Sequence, residues 1–203
     1  MAEPALRDVV MLDSGGSNLA SVQFAFARLG VTPELSRDPE RIRRATHVVL
    51  PGVGAARPGM QRLQESGLDC LIPTLTQPVL GVCLGMQLLF ESSEESDTEC
   101  LGILPGRLTR FDPIRCGRVP HMGWNTLQAA RVSPLLAGIN DGDHAYFVHS
   151  YAAPVSAATV AHCTYGNAFS AVVSLRNFHG AQFHPERSAA VGARLLHNFL
   201  ELT

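Results

Sequence analysis

Apolar residues recur along this chain at two spacings. Short unbroken runs at 9–12, 47–50 and 79–82 read as strands, while Leu19, Val22, Phe26 and Leu29 fall on one face of a helix that Gly30 closes as its C′ residue. Asp38-Pro39 supplies an N-cap and a first helical residue for a short helix before the second run. A longer helical stretch spans roughly 57–75, with breaks expected at Gly67 and Pro73, and a further helix is expected over 84–90. From 101 to about 173 the pattern turns to short strands with Gly and Pro punctuation, which predicts an antiparallel extension of the sheet. Val191, Leu195, Leu196 and Phe199 mark a closing amphipathic helix. Alternating strands and helices predict an α/β fold with a mixed, mainly parallel sheet. With no internal repeat, linker or low-complexity segment, residues 1–203 read as one domain.

The third apolar run carries the first sign of chemistry. Pro78-Val79-Leu80-Gly81-Val82-Cys83-Leu84-Gly85-Met86-Gln87 passes from strand to helix with a cysteine at the junction. Gly81 and Gly85 flank it at the spacing of a nucleophile elbow, where small residues let a strained turn fold without collision. The turn would hold the sulfur in a cleft, and the unpaired N–H groups of the helix N-terminus would favour its thiolate. Alone, the same cysteine reads more readily as a buried core residue than as a nucleophile.

Gly180-Ala181-Gln182-Phe183-His184-Pro185-Glu186-Arg187-Ser188 supplies partners for such a nucleophile. His184 can act as base, and Glu186 can accept the other imidazole N–H and fix the ring. Taken singly, His184 is a hydrogen-bonded core histidine and Glu186 a carboxylate near a helix start. Pro51-Gly52-Val53-Gly54 follows a strand, so it should reach the same sheet edge. Its peptide N–H at Gly52 or Val53, with that of Leu84, can face a tetrahedral oxyanion, although a tight turn explains the glycines as well. Gln87, one helical turn past Cys83, either meets the substrate or lies on a helix surface.

Composition removes several classes. Sixteen basic against eighteen acidic residues leave a net charge of −2 without a basic run, which argues against nucleic acid. The longest apolar stretch is too short to span a bilayer, and residues 1–8 lack a signal-peptide pattern. Five cysteines without a C-x-x-C pair argue against a disulfide framework and a zinc site, and fit a reducing cytoplasm without a metal or other cofactor. The acidic segment 91–97 reads as a solvated surface.

The elbow Gly81-Val82-Cys83-Leu84-Gly85-Met86-Gln87 and the segment His184-Pro185-Glu186 resemble those of the class I glutamine amidotransferases, Cys-His-Glu glutaminases that release ammonia for a second active site. Val119-Pro120-His121-Met122-Gly123-Trp124-Asn125, Tyr146-Phe147-Val148-His149-Ser150-Tyr151 and the Pro51–Gly54 loop narrow the likeness to glutaminase subunits of imidazole glycerol phosphate synthases. That resemblance runs in order from about Val9 to the C-terminus. It implies a three-layer α/β/α fold, a Cys83-His184-Glu186 triad, an oxyanion hole at Gly52, Val53 and Leu84, and substrate contacts from Gly54, Gln87, Ser150 and Tyr151. It further implies a (β/α)8 cyclase as heterodimer partner, too large to fit in this chain.

Within the resemblance, 121–125 (His121, Trp124 and Asn125 among them) and 146–151 are expected at the docking face or in coupling between the two sites, with Tyr146 and Arg187 at the ammonia exit. Related subunits commonly carry lysine where Arg187 stands; guanidinium keeps the charge but is planar and bulkier. Asp13-Ser14-Gly15-Gly16-Ser17-Asn18 also departs from the related pattern, which often has tyrosine after the aspartate and glycine before the asparagine. Three other readings remain: a stand-alone cysteine hydrolase, a scaffolding subunit, and a glutaminase serving a different synthase.

Overall fold

Parallel pairing of the short apolar runs organises the chain. The computed structural model describes residues 7–13 and 19–203. Its first part holds β1 (Val9–Leu12), α1 (Leu19–Ala27), β2 (Glu34–Ser36), α2 (Pro39–Arg44), β3 (His47–Gly52), α3 (Ala56–Glu65), α4 (Leu68–Leu71), β4 (Val79–Cys83) and α5 (Leu84–Gln87). Then come β5 (Phe90–Ser93), β6 (Thr98–Glu99), β7 (Leu104–Arg110), α6 (Pro113–Cys116), β8 (His121–Thr126) and β9 (Gln128–Ala129). The last part comprises β10 (His144–His149), β11 (Tyr151–Ala152), β12 (Thr159–Tyr165), β13 (Asn167–Leu175), β14 (Phe178–Ala181) and α7 (Ala189–Leu200).

The main sheet has eight strands in the order β2-β1-β3-β4-β14-β13-β12-β9. Its pairs are parallel as far as β14 and antiparallel beyond it. Successive side chains of a strand point to opposite faces. Val9 and Met11 accordingly join a core with Val22 and Phe26 of α1 and Leu195 and Phe199 of α7. Val10 and Leu12 join the opposite core with Ile42, Met60, Leu63 and Leu68 from α2, α3 and α4. These two cores make the three layers, and burying each large side chain contributes about 1.5–3 kcal/mol.

Local signals act as the sequence predicts at several helix ends. Asp38 accepts a hydrogen bond from the Glu40 N–H at 3.0 Å, with Pro39 opening α2. Gly67 separates α3 from α4 at φ 69°, a conformation that costs glycine little.

Two expectations are corrected. The helix expected over 84–90 ends at Gln87, and Phe90 begins a strand. The carbonyls of Leu88, Leu89 and Phe90 accept hydrogen bonds from the N–H groups of residues 101–104, so strand pairing outcompetes another helical turn. The 101–173 region is also more divided than expected. Only β9, β12 and β13 extend the main sheet, whereas β8 and β10 form a separate ribbon and β5, β6, β7 and β11 a third sheet. The departure noted at 14–18 lies outside the described residues.

Candidate active site

Cys83 ends β4 and caps α5 with φ 53° and ψ −111°, a positive-φ conformation that costs a non-glycine residue roughly 1–3 kcal/mol. Close backbone packing holds it there. A Cβ on Gly85 would lie 1.9 Å from the Leu50 carbonyl oxygen, and one on Gly81 would lie 2.6 Å from the Met86 nitrogen. Gly52 is the register partner of Cys83, and a Cβ on it would lie 2.6 Å from the Gly85 nitrogen. Thus β3 and the elbow pack backbone against backbone, which brings the Val53-Gly54 loop to the sulfur.

β14 runs parallel beside β4, with Ala181 opposite Val82, so three residues later His184 emerges at the same sheet edge as Cys83. Its backbone N–H donates to the Tyr146 carbonyl at 2.9 Å. Ser188 Oγ accepts from the Tyr146 N–H at 2.9 Å and donates to the His184 carbonyl at 2.7 Å, which fastens the segment to β10. His184 Nδ1 donates to Glu186 Oε1 at 2.9 Å, leaving Nε2 for Cys83. Burial alone would lower the His184 pKa. Hydrogen bonds and charge interactions with Cys83 and Glu186 overcome that effect and raise it to about 10. Both neighbours thus favour the protonated ring, the form that can give a proton to a leaving amine.

Cys83, His184, Leu84, Val53 and Gly54 line one cleft of ≈450 Å³. Gln87, Ser150, Tyr151 and Arg187 line it too. Gly52 lies behind this wall, beside Val53, His184 and Glu186. Gln87 is buried rather than on a helix surface, and its amide donates to the Tyr151 carbonyl at 3.0 Å and to Gln182 Oε1 at 2.9 Å.

Sequence reasoning missed two residues here. Glu95 belongs to the acidic segment expected to be merely solvated, yet it lines the cleft, and its Oε2 accepts the Ala56 N–H at 2.7 Å. It thereby caps α3, whose N-cap Ala55 offers no side-chain acceptor. Glu91 and Glu94 likewise accept backbone N–H groups, of Gly106 and Arg110. No spacing rule reveals this, because the β5–β6 turn alone carries Glu95 to α3. Gln182, fully buried, donates through Nε2 to Cys83 Sγ at 3.9 Å. An amide at the end of an apolar strand beside His184 was the available signal.

The expected docking residues divide by strand alternation. On β8, Met122 and Trp124 point outward, 62% and 53% exposed, opposite Val148 and Tyr146 of β10. His121, expected at the docking face, is instead 3% exposed, and Asn125 turns inward with it. Alternation along β8 makes this unavoidable once Trp124 faces out. Trp124 meets Tyr146 edge-on at 5.8 Å, and the Arg187 guanidinium lies 4.7 Å from the Tyr146 ring centroid in a cation–π contact. Tyr146 and Arg187, which the resemblance puts at the ammonia exit, are thus in contact, and Arg187 lines the cleft. Among the described residues, no helix is long and apolar enough to cross a membrane.

Comparison with known proteins gives the family. Residues 10–202 match the family model "Glutamine amidotransferase class-I". The chain is 53% identical over 197 residues to "Imidazole glycerol phosphate synthase subunit HisH" of Xylella fastidiosa, covering 97% of this chain and 98% of that one. It is 54% identical over 198 residues to the protein of the same name from Xanthomonas oryzae pv. oryzae, covering 98% and 99%. A crystal structure of a glutamine amidotransferase superposes with a TM-score of 0.73 at 19% identity, covering 95% of this chain and 97% of that one. The glutaminase domain of Trypanosoma brucei CTPS superposes with a TM-score of 0.65 at 17% identity, covering 97% and 94%. At those identities the two structures speak for the fold.

Proposed function

The chain belongs to the class-I glutamine amidotransferase family, and from that premise we propose that it is the glutaminase subunit of an imidazole glycerol phosphate synthase. In this reading it hydrolyses glutamine to glutamate and ammonia, and passes the ammonia to a (β/α)8 cyclase bound as a heterodimer partner. The observation that carries it is geometric: His184, hydrogen-bonded to Glu186 through Nδ1, lines one cleft with Cys83, Leu84 and Val53.

The Cys83 thiolate attacks the side-chain amide carbon of glutamine. Backbone N–H groups at Val53 and Leu84 receive the oxyanion, with Gly52 as the close-packed residue that lets the loop approach. His184 gives its proton to the leaving ammonia, and a C–S bond replaces the C–N bond. Water, deprotonated by His184, then hydrolyses the thioester and frees glutamate. One oxyanion donor is worth roughly 10² to 10³ in rate, so a loop that aims its donor only in the complex would restrain wasteful hydrolysis. The Glu95 carboxylate supplies a counter-charge for the α-ammonium group of glutamine, while Gly54, Gln87, Ser150 and Tyr151 form the rest of the substrate wall. These steps use protein groups and water alone.

Trp124 suits an interface anchor: a large, half-exposed aromatic beside Tyr146 and Arg187 at the cleft mouth. Its neighbours on the inward face, His121 and Asn125, would act behind that surface. Five free cysteines fit the cytoplasmic setting of this reading. The test is glutamine hydrolysis by the purified chain, alone and with the cyclase and its nucleotide substrate. An increase of about tenfold or more, some 1.4 kcal/mol in barrier, is expected on complex formation. Full activity in the isolated chain would favour a stand-alone hydrolase.

A further inference from the structure

The inward face of the β8–β10 ribbon holds a polar chain inside an aromatic cluster. His121 and His149 are register partners, both buried, packed among Phe111, Phe147 and Phe169. Two imidazoles in such surroundings need defined partners, because an unpaired buried polar group is costly.

Backbone groups at the two ends fix the direction of every bond. Asn125 Oδ1 accepts the Thr126 N–H at 2.8 Å and its Nδ2 donates to the Thr164 carbonyl at 3.0 Å, which settles the amide orientation. The remaining Nδ2 hydrogen faces His121 Nε2 at 3.3 Å, so Nε2 accepts. At the other end, His149 Nδ1 lies 2.8 Å from the Tyr151 carbonyl and must donate to it. His149 Nε2 is then the acceptor for His121 Nδ1–H at 3.4 Å. The two ends demand the same pattern: both rings neutral, both protonated on Nδ1. Burial agrees, pushing the His121 pKa down to about 4 and that of His149 to about 3.

The chain continues into the cleft. The Tyr151 carbonyl also accepts from Gln87 Nε2, whose second hydrogen goes to Gln182 Oε1. Gln182 Nε2 in turn donates to Cys83 Sγ. We propose that His121 and His149 are positioning residues for the glutamine pocket, forming with Asn125 a directed hydrogen-bond relay from the exposed ribbon to the Tyr151 carbonyl, which also accepts from Gln87, itself linked through Gln182 to Cys83. The ribbon that carries Trp124 and Tyr146 and the wall of the substrate cleft are thereby one mechanical unit. The inference rests on the glutaminase reading only in naming the pocket's occupant.

Two measurements on the full chain at pH 7 test it. Two-bond ¹H–¹⁵N correlation spectra of histidine-labelled protein identify ring tautomers, and both His121 and His149 are expected as Nδ1–H; either ring in the Nε2–H form overturns the relay. Asn125→Asp replaces the amide donor by a carboxylate, which only accepts. In it His121 should convert to the Nε2–H form or to imidazolium. Inactivation by 6-diazo-5-oxo-L-norleucine, a glutamine analogue that must occupy the pocket before alkylating Cys83, should slow by about tenfold or more, with iodoacetamide alkylation changing less than about twofold. Unchanged tautomers and unchanged analogue inactivation would refute the proposal. Should Asn125→Asp not fold, His149→Phe fills the aromatic cluster while deleting both polar ends. The same split between the two reagents is expected there, and its absence counts against the relay. If the analogue fails to inactivate wild type both alone and in complex with the cyclase and its nucleotide substrate, the glutaminase reading falls, while the tautomers still judge the relay.

Discussion

His184 Nδ1 and Glu186 Oε1 lie 2.9 Å apart, with both side chains buried beside Cys83. The carboxylate fixes the ring orientation that points Nε2 at the sulfur and, with Cys83, raises the imidazole pKa to about 10. His184→Ala removes the proton carrier, so glutamine hydrolysis should fall by about 10³ or more, approaching the loss in Cys83→Ala. Glu186→Gln keeps an acceptor but removes the charge; a loss of about 10- to 100-fold is expected. NMR titration of His184 should show its pKa falling from about 10 toward the ordinary range in that variant.

Glu95 serves two elements at once, lining the cleft and capping α3 through the Ala56 N–H. Glu95→Gln keeps an acceptor for the cap and loses the charge that would face the α-ammonium group. Its KM for glutamine should rise about tenfold or more with little change in melting temperature. Glu95→Ala should show the same KM effect plus about 1 kcal/mol of lost stability in urea unfolding. Equal KM values for wild type and both variants would remove Glu95 from substrate binding.

Arg187 lies over the Tyr146 ring at the mouth of the cleft. If the pair seals the path between the subunits, Arg187→Ala leaves Cys83 chemistry working while ammonia escapes. In the complex, glutamate formation should then exceed imidazole glycerol phosphate formation, and added ammonium salt should still drive the cyclase normally. A one-to-one product ratio in the variant would make Arg187 a surface residue, worth only a fraction of about 1 kcal/mol in stability.

Burial lowers the pKa of His149 to about 3 and of His121 and His179 to about 4. In the unfolded chain such groups titrate near ~6.5, so below that pH the unfolded state binds protons that the fold refuses. The contribution of these three rings should be complete above about pH 6.5 and fall as pH drops toward 4 and 3, by at most about 1.4 kcal/mol per pH unit for each ring, opposite in sign to that of His184, whose raised pKa stabilises the fold below the alkaline range. Urea midpoints at pH 7 and pH 5 measure this. His149→Phe should flatten the acid dependence, and an identical slope in that variant would contradict the assignment.

Local physics explains which features could be read from sequence. The elbow was legible because Gly81, Cys83 and Gly85 carry their reason in their own spacing, and the Asp38-Pro39 start of α2 likewise. His184 and Glu186 were legible as a pair two residues apart. The course of the chain after Gln87 was not, since long-range pairing of residues 88–90 with 101–104 overrides the apolar run. Glu95 was hidden for the same reason: its role arises from contact with Ala56, 39 residues away. The inward course of His121 was not legible because a motif that reads as one block is, on a strand, split between two faces.

The central claim is that Cys83 forms a covalent acyl bond to glutamine. Rapid acid quench of the complex during turnover, followed by intact-mass and peptide mass spectrometry, tests it most directly. A γ-glutamyl adduct is expected on the peptide containing Cys83, released by hydroxylamine as a thioester should be, enriched in Glu186→Gln if deacylation slows most, and lost in Cys83→Ala together with glutamate production. Glutamate production that persists in Cys83→Ala, or an adduct carried on another cysteine, would contradict the account.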